Sequence, residues 1–251
     1  MNDPTDLDLL HLAADLADRE SMRTWRSDDL HVEIKPDGSP VSATDQLIER
    51  LLRELLAEHR PTDRVLGEEQ GDRGSGPRCW VLDPIDGTGS YVAGGRAWGS
   101  LIALEVDGRP TAGMVTMPAV GRRWWGTVDD GAFLADAPGA APIPIGVSDP
   151  SHDLRWSTGP STDELDDDER ARVTRFEGRG RYVPKSEWTT YPALMVAEGS
   201  LEIAVHFGQH WDHAALSGVV VAAGGHVVDD GPRPDGRRWA VTFANALVNL
   251  S

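Results

Sequence analysis

The stretch CWVLDPIDGTGS, residues 79–90, joins an apolar strand to a turn that carries two carboxylates. Its first part, CWVLD, has the length and composition of a buried strand. The part that follows is rich in turn-forming residues, with Pro84 and Gly87 as the strongest breakers. Asp83 and Asp86 therefore stand close together where the strand ends. Two anions so close repel each other unless a cation lies between them, so this stretch predicts a cation site.

Carboxylates also lie beside turns or element ends in two other stretches. GEEQG, residues 67–71, follows a short predicted strand, and Asp212 stands at the start of an apolar helix predicted over 211–223. Oxygen ligands at this density suit magnesium, manganese or calcium. A single Asp in such a position is usually a cap or a turn residue, but three such stretches together favour a metal centre.

The turn after Asp83 also offers groups that suit phosphate. The carbonyl of Ile85 is a neutral oxygen ligand, and the N–H groups of Gly87 and Thr88 can hold phosphate oxygens if a helix or nest begins there. With 24 basic and 41 acidic residues, the formal net charge is −17. Such a chain repels nucleic acids and anionic membranes. It also repels phosphorylated metabolites unless cations neutralise the site, which again favours a metal.

The remaining pattern predicts helices packed on mixed sheets in alternating layers, an α/β (α+β) fold. The 251 residues suit one domain over 1–251, with possible sub-halves 1–140 and 141–251. Residues 72–78 are predicted to be a loop and 136–150 a linker. The predicted helices and strands are helices over Thr5–Trp25, about Ser42–His59 and Trp188–Glu198, hairpins over Gly99–Phe133, and strands over Leu201–Val205 and 224–229.

Localisation is predicted from features that the chain lacks. Cys79 is the single cysteine, so an internal disulfide is impossible and a buried thiol is expected. MNDPTDLDLL has no basic region followed by an apolar stretch, and no apolar run approaches the ~20 residues of a membrane span. These features predict a soluble cytoplasmic protein.

Three motifs, in order, resemble the signatures of the inositol monophosphatase family. WVLDPIDGTGSYVAGG at 80–95 resembles the central signature, GEEQG the upstream glutamate motif, and WDHAALSGVVVAAGG at 211–225 the C-terminal signature. The opening IKP at 34–36, followed by VSATD at 41–45, also fits. The resemblance therefore covers nearly the whole chain. Residues 102–134, with the double tryptophan of RRWWG, are similar to the bacterial histidinol-phosphate phosphatase branch.

This resemblance implies a layered α/β/α/β sandwich, usually a homodimer, that hydrolyses a small phosphorylated metabolite with two or three magnesium ions. Thr88 and Asp45 would orient and deprotonate the attacking water beside Glu68, and the N–H groups of Gly87 and Thr88 would bind the phosphate. The metal ligands implied are Glu68, Asp83, the carbonyl of Ile85, Asp86 and Asp212.

The sequence departs from the family pattern at two positions that bear on the substrate. Ser90 replaces an Asn of the central motif, and Val205 stands where many members carry an acidic residue that meets the substrate. Glu187 or Glu198 can supply the missing acid. The substrate-pocket candidates are Glu187, Val205, His206 and His213.

Several functions compete with hydrolysis of histidinol phosphate to histidinol. Inositol, cyclitol or sugar monophosphates are alternative substrates. Bisphosphates would need a basic cluster, for which Arg179, Arg181 and Lys185 are the candidates, but these residues are interpreted as a surface loop. A catalytically silent relative that only binds a phosphorylated ligand is the non-enzyme alternative. The spacing Asp-x-x-Asp-Gly-Thr, in mid-chain, does not fit the Asp-x-Asp-x-Thr nucleophile of haloacid-dehalogenase-type phosphatases. His206, His210 and His213 lie close in sequence, but they match no zinc-binding pattern, so no zinc site is predicted.

Overall fold

The first two helices begin where the sequence supplies side-chain caps. A computed structural model describes residues 3–36, 38–149, 154–160, 162–184, 190–232, 239–245 and 248. Thr5 and Ser42 each form a capping box, with Asp8 and Asp45 respectively, and so fix the first two helix starts. The described helices are α1 (Asp6–Thr24), α2 (Ala43–His59), α3 (Thr88–Val92), α4 (Asp167–Glu177), α5 (Pro192–Ala197) and α6 (His210–Ala222).

Most predicted helices are confirmed to within a residue or two. The exception is the helix predicted over Trp188–Glu198, which is too long: α5 starts only at Pro192, a residue suited to the first helical position because it needs no N–H partner. Residues 188 and 189 lie outside the described part of the chain. No helix in the described ranges combines the length and the apolar character needed to cross a bilayer.

The larger sheet contains the strand that carries Asp83 and Asp86. All of its neighbouring strands pair antiparallel except β3 (Arg64–Gly67) and β5 (Arg78–Asp86), which are parallel to each other. In spatial order its strands are β10 (Ile143–Ile145), β9 (Gly131–Ala135), β8 (Arg122–Thr127), β7 (Arg109–Met117), β6 (Gly99–Val106), β5 (Arg78–Asp86), β3 (Arg64–Gly67) and β4 (Gly71–Arg73).

A smaller sheet and a separate hairpin contain most of the strands that sequence reasoning missed. The hairpin is β1 (Val32–Ile34) with β2 (Pro40–Ser42). In spatial order the smaller sheet is β12 (Arg181–Tyr182), β11 (Arg155–Thr158), β13 (Ile203–Gly208), β15 (Trp239–Ala244) and β14 (His226–Pro232).

Three sequence predictions about strands and loops are corrected. The linker predicted over 136–150 contains β10, because Ile143–Ile145 pairs with β9 and forms the edge strand of the larger sheet. The loop predicted over 72–78 includes the end of β4, which folds back on β3. The strand predicted over Leu201–Val205 starts later and runs on to Gly208, paired with β15 throughout.

The layers follow from the alternation of apolar side chains along each strand. On β5, Trp80 and Leu82 pack against α1 and α2, whereas Cys79 and Val81 face a central core shared with α5, α6 and the smaller sheet. Cys79 is buried, as predicted. The predicted α/β/α/β order is therefore confirmed. α4 packs its Phe176 on the outer face of the smaller sheet and adds a further layer.

Candidate active site

A β-bulge turns Asp83 and Asp86 toward the same place. Asp83 pairs with Leu101 and Asp86 with Gly99, so two residues of β5 oppose one residue of β6. Residues three apart on a regular strand face opposite sides, and the extra residue of a bulge cancels that difference. Pro84, which has no N–H, suits the bulge, and its carbonyl accepts a 2.6 Å hydrogen bond from the Ser100 hydroxyl. Pro84–Asp86 is therefore strand, and not the turn that the sequence predicted.

The turn itself comes at Gly87, the residue that links β5 to α3. Gly87 has φ +79°, and a Cβ on it would lie 2.6 Å from the carbonyl oxygen of Ala97. Only glycine fits both the left-handed backbone and this close approach. α3 begins at the next residue, so the Thr88 side chain stands directly beside the end of β5.

Asp212 reaches the same place from the first turn of α6. Its Oδ2 accepts a 2.7 Å hydrogen bond from the N–H of Gln209, which fixes the side chain at the helix start. The helix lies directly against β7, because a Cβ on Gly218 would be 2.5 Å from the carbonyl of Ala112. As a result, three carboxylate oxygens, one from each of Asp83, Asp86 and Asp212, lie within 4.8 Å of one another.

Asp83 is the buried member of this cluster, whereas Asp86 and Asp212 are half-buried. Asp83 is 1% exposed, and neither carboxylate oxygen has a hydrogen-bond partner among the described residues. Burial raises its pKa well above the ordinary aspartate value, and the charges of Glu68, Asp86 and Asp212 raise it further. A buried carboxylate needs a compensating partner. Hard divalent cations bind such oxygens, so the donor set fits magnesium.

Glu68 belongs to a turn that is held by two residues whose roles the sequence did not reveal. The Lys35 ammonium lies 2.7 Å from carboxylate oxygens of both Glu68 and Glu69. Burial acts to lower the pKa of Lys35, but these two ion pairs outweigh it and raise the pKa. From α2, the fully buried Glu49 carboxylate accepts hydrogen bonds from the N–H groups of Glu69, at 2.7 Å, and Gln70, at 3.0 Å.

Lys35 belongs to the IKP motif, but its distance along the chain from GEEQG did not predict that it contacts Glu68 and Glu69. Glu49 lies one turn after Asp45 on the predicted helix α2, and only its position on the buried face of that helix could have marked it.

Asp45 and Thr88 form a hydrogen-bonded pair at the edge of the cluster. The Thr88 hydroxyl lies 3.2 Å from Asp45 Oδ1 and 2.9 Å from the carbonyl oxygen of Ile85. The other Asp45 oxygen accepts hydrogen bonds from the N–H and hydroxyl of Ser42. Burial raises the pKa of Asp45 to about 6, although the Ser42 hydrogen bonds oppose the shift. These contacts hold both side chains in one orientation.

Two adjoining cavities open on the carboxylates. The first cavity, of about 190 Å³, is lined by residues that include Glu68, Asp83, Ile85 and Thr88. The second cavity, of about 230 Å³, is lined by residues that include His206, Thr190 and Tyr191. Asp86, Gly87 and Asp212 line both cavities. A larger cavity of about 680 Å³ lies between α1 and β8 and contains none of these carboxylates. The chemistry of the cluster therefore marks the smaller pair as the candidate site.

The four substrate-pocket candidates separate in the structure. His206 lines the second cavity. Val205 does not: it is 1% exposed and packs in the outer core of the smaller sheet. His213 is buried and lies against the ring of His210, with ring centroids 5.1 Å apart, and it is not among the residues that line either cavity. Burial lowers its pKa to about 2. Glu187 lies outside the described residues.

Glu198, a candidate for the missing acid, and Ser90, which replaces an Asn of the family motif, both form hydrogen bonds in the structure. Glu198 accepts a 2.6 Å hydrogen bond from the indole N–H of Trp124 and does not line the second cavity. Ser90 accepts a 3.2 Å hydrogen bond from the N–H of Ala97, which does line it. Ser90 therefore still supports the turn where the family pattern has Asn.

A layered sandwich in which carboxylates from a strand end and a helix start surround one buried aspartate is the arrangement of a metal-dependent hydrolase of phosphate monoesters. The sequence model of the inositol monophosphatase family matches residues 9–249, and the chain belongs to that family. It is therefore a phosphatase.

Individual relatives agree with this assignment. The chain is 40% identical to a histidinol-phosphatase from Streptomyces coelicolor over 238 residues, covering 88% of this chain and 85% of that one. It is 38% identical to a histidinol-phosphatase from Mycobacterium tuberculosis over 229 residues, covering 88% and 86%. The fold matches an inositol monophosphatase from Zymomonas mobilis with a TM-score of 0.73 and 29% identity, covering 95% and 92%.

Proposed function

We propose that this phosphatase is magnesium-dependent and converts histidinol phosphate and water to histidinol and orthophosphate. The observation that carries the chemistry is the buried Asp83 carboxylate, held with Asp86 and Asp212 within 4.8 Å. The similarity to two histidinol-phosphatases supports the choice of substrate.

The carboxylate cluster and the first cavity support the proposed metal-binding residues. When bound, magnesium would neutralise the phosphoryl oxygens and lower the pKa of a coordinated water. Asp83 offers two carboxylate oxygens at the centre of the cluster, which suits a ligand shared between ions. We expect two or three ions, held by Glu68, Asp83, the carbonyl of Ile85, Asp86 and Asp212.

Asp45 and Thr88 have the geometry of a proton relay. The Thr88 hydroxyl can donate to Asp45 and at the same time accept a hydrogen bond from a water in the first cavity. The water oxygen forms a new bond to phosphorus while the bond between phosphorus and the alcohol oxygen breaks. The water proton passes to Thr88, whose own proton passes to Asp45. Solvent water protonates the leaving oxygen, and Asp45 then releases its proton to the solvent, which restores the starting state. The N–H groups of Gly87 and Thr88 would hold the phosphate.

The second cavity is the proposed pocket for the leaving group. Tyr191 and His206 offer ring surfaces against which an imidazole can pack. The substrate ammonium requires an acidic partner. Val205 cannot supply it, and Glu198 is engaged by Trp124. Glu187, the other acidic candidate from the sequence, lies outside the described residues.

We also propose one domain over residues 1–251, a homodimer and a cytoplasmic location. The central core supports the single domain, because Val81 and Leu101 pack in the same cluster as Ala204 and Phe243 from the second half. The dimer rests on the family resemblance. Light scattering on the purified protein tests it, and a monomeric mass at working concentration would contradict it.

Phosphate release from a panel of substrates tests the proposal. Histidinol phosphate, inositol 1-phosphate, fructose 1,6-bisphosphate and adenosine 3′,5′-bisphosphate should each be assayed with magnesium and with excess chelator. We expect the highest kcat/KM for histidinol phosphate and no turnover in chelator. Preference for inositol 1-phosphate would make it the substrate in place of histidinol phosphate and would leave the proposed chemistry unchanged. Ligand binding without any phosphate release would identify a silent relative.

A further inference from the structure

A second group of metal-ligating side chains lies near the start of α6. Two of its members belong to α6 and one belongs to β14. His210 and His213 are three residues apart, so they lie on the same side of the helix. Asp229 of β14 lies beside them, and one nitrogen of each ring and one oxygen of Asp229 all lie within 4.8 Å of one another. Two imidazoles and one carboxylate are a ligand set found for zinc and non-haem iron.

Two of these side chains are themselves held by outer partners. Nε2 of His210 lies 3.1 Å from the carboxylate of Glu105, on β6. Oδ1 of Asp229 accepts a 2.7 Å hydrogen bond from the N–H of Gly231. Metal-binding histidines usually donate one ring N–H to a carboxylate, which orients the other nitrogen toward the ion. With Nε2 of His210 facing Glu105, the imidazole would bind the ion through its other nitrogen, and Asp229 would bind it through a carboxylate oxygen.

We propose that His210, His213 and Asp229 bind a divalent transition-metal cation of the zinc class, with Glu105 as the outer partner of His210. Two neutral imidazoles and the carboxylates of Asp229 and Glu105 balance the charge of a dication. Three protein ligands leave one position for water. The site is separate in chemistry from the Asp83 cluster, because imidazole selects zinc, whereas carboxylates and carbonyls suit magnesium.

The sequence prediction against zinc was drawn from histidines alone. His206 lines the second cavity and is not a member of the group formed by His210, His213 and Asp229, in which the third ligand is a carboxylate from a strand further along the chain. A bound ion would connect the first turn of α6, which carries Asp212, to β14 and, through Glu105, to β6.

Equilibrium dialysis of the purified protein against Zn²⁺, in a large excess of Mg²⁺, tests the site. The excess Mg²⁺ occupies the carboxylate cluster, and the bound zinc is counted by mass spectrometry. We expect one zinc per chain. Asp229→Asn and His210→Gln should weaken zinc binding at least tenfold, and Glu105→Gln by about 10- to 100-fold. Co²⁺ titration of the same proteins should give a visible absorption band that the variants lose.

Matched controls distinguish this site from the Asp83 cluster and from adventitious binding. Asp83→Asn and His226→Gln, the latter on the same strand as Asp229, should bind zinc as the wild type does. Far-ultraviolet circular dichroism of each variant checks its fold, and Asp229 is exposed, so its amide should be tolerated. Absence of stoichiometric zinc in the wild type, unchanged binding in Asp229→Asn and His210→Gln, or loss of binding in Asp83→Asn would each overturn the proposal.

Discussion

The Glu49 carboxylate on α2 accepts a 2.7 Å hydrogen bond from the backbone N–H of Glu69, twenty residues further along the chain. The same carboxylate binds the N–H of Gln70 and the guanidinium of Arg53. A side chain that is fully buried thus fixes the backbone of the turn that presents Glu68 to the cluster. Through Glu49, α2 therefore positions the glutamate turn, although Glu49 itself is not a proposed metal ligand.

Replacing Glu49 with Gln should weaken magnesium binding more than it slows the chemistry. An amide has one acceptor oxygen, so it cannot satisfy both backbone N–H groups and Arg53. We expect the magnesium concentration for half-maximal activity to rise about 10- to 100-fold, with kcat at saturating magnesium close to the wild-type value. Steady-state assays over a magnesium series measure both quantities.

Glu54→Gln is the matched control, because Glu54 lies on the exposed side of the same helix. An unchanged magnesium requirement in Glu49→Gln would show that the turn does not need this anchor.

Asp83→Asn should abolish turnover and leave the fold intact. The change removes the charge at the centre of the cluster but almost no volume. We expect kcat/KM to fall by more than the ~10- to 100-fold that loss of an outer partner costs. Phosphate release, circular dichroism and the exposed variant Asp129→Asn provide the assay, the fold check and the control. Near wild-type turnover in folded Asp83→Asn would refute the assignment of Asp83 as a metal ligand.

The difference in stability between the wild type and Asp83→Asn should depend on pH in a defined direction. The pKa of Asp83 is raised in the folded protein, so above about pH 4 the folded state binds more protons than the unfolded state. The free energy of unfolding therefore falls as pH rises toward the folded pKa, and Asn, which stays neutral, avoids this loss.

In excess chelator, Asp83→Asn should match the wild type near pH 4 and exceed it increasingly toward neutral pH, by about 1.4 kcal/mol for each unit of pKa shift. Saturating magnesium should reverse the order at neutral pH, because an ion that binds only the folded wild type stabilises it. Urea unfolding at several pH values measures the difference. A difference that does not change with pH would contradict the repulsion argument.

Thr88→Val tests the proposed relay. Valine keeps the shape of threonine but removes the hydroxyl that lies between Asp45 and the first cavity. We expect kcat to fall about 10²- to 10⁴-fold, the usual contribution of a positioned proton-transfer group, whereas Thr88→Ser should keep most of the activity. A loss of only a few-fold in Thr88→Val would remove Thr88 from the proton path.

Sequence reasoning located the Asp83–Asp86 pair but misjudged how it is formed. Pro84 and Gly87 suggested a turn, whereas the chain stays extended through a bulge and turns only at Gly87. A bulge depends on the register with the partner strand, and the carbonyl that it frees is satisfied by Ser100, sixteen residues away. Local propensity does not contain that register.

The pocket candidates Val205 and His206 illustrate a second limit. Adjacent residues of a strand point to opposite faces, so one of the two had to face away from the substrate. Which one does so depends on where α4 packs, and α4 covers the face that carries Val205. A motif counted along the chain selects a position, but only packing decides the direction of its side chain.

By itself, the sequence determined the order of the main helices, the layered fold, the family and the carboxylate stretches, because each of these is carried by local periodicity or by residues adjacent in the chain. The tertiary structure decided that Glu49 anchors the glutamate turn, that Lys35 pairs with Glu68, and that His210 and His213 meet Asp229. These contacts join residues from separate elements. Their distances are set by how helices pack on the sheets, and no spacing along a single chain specifies them.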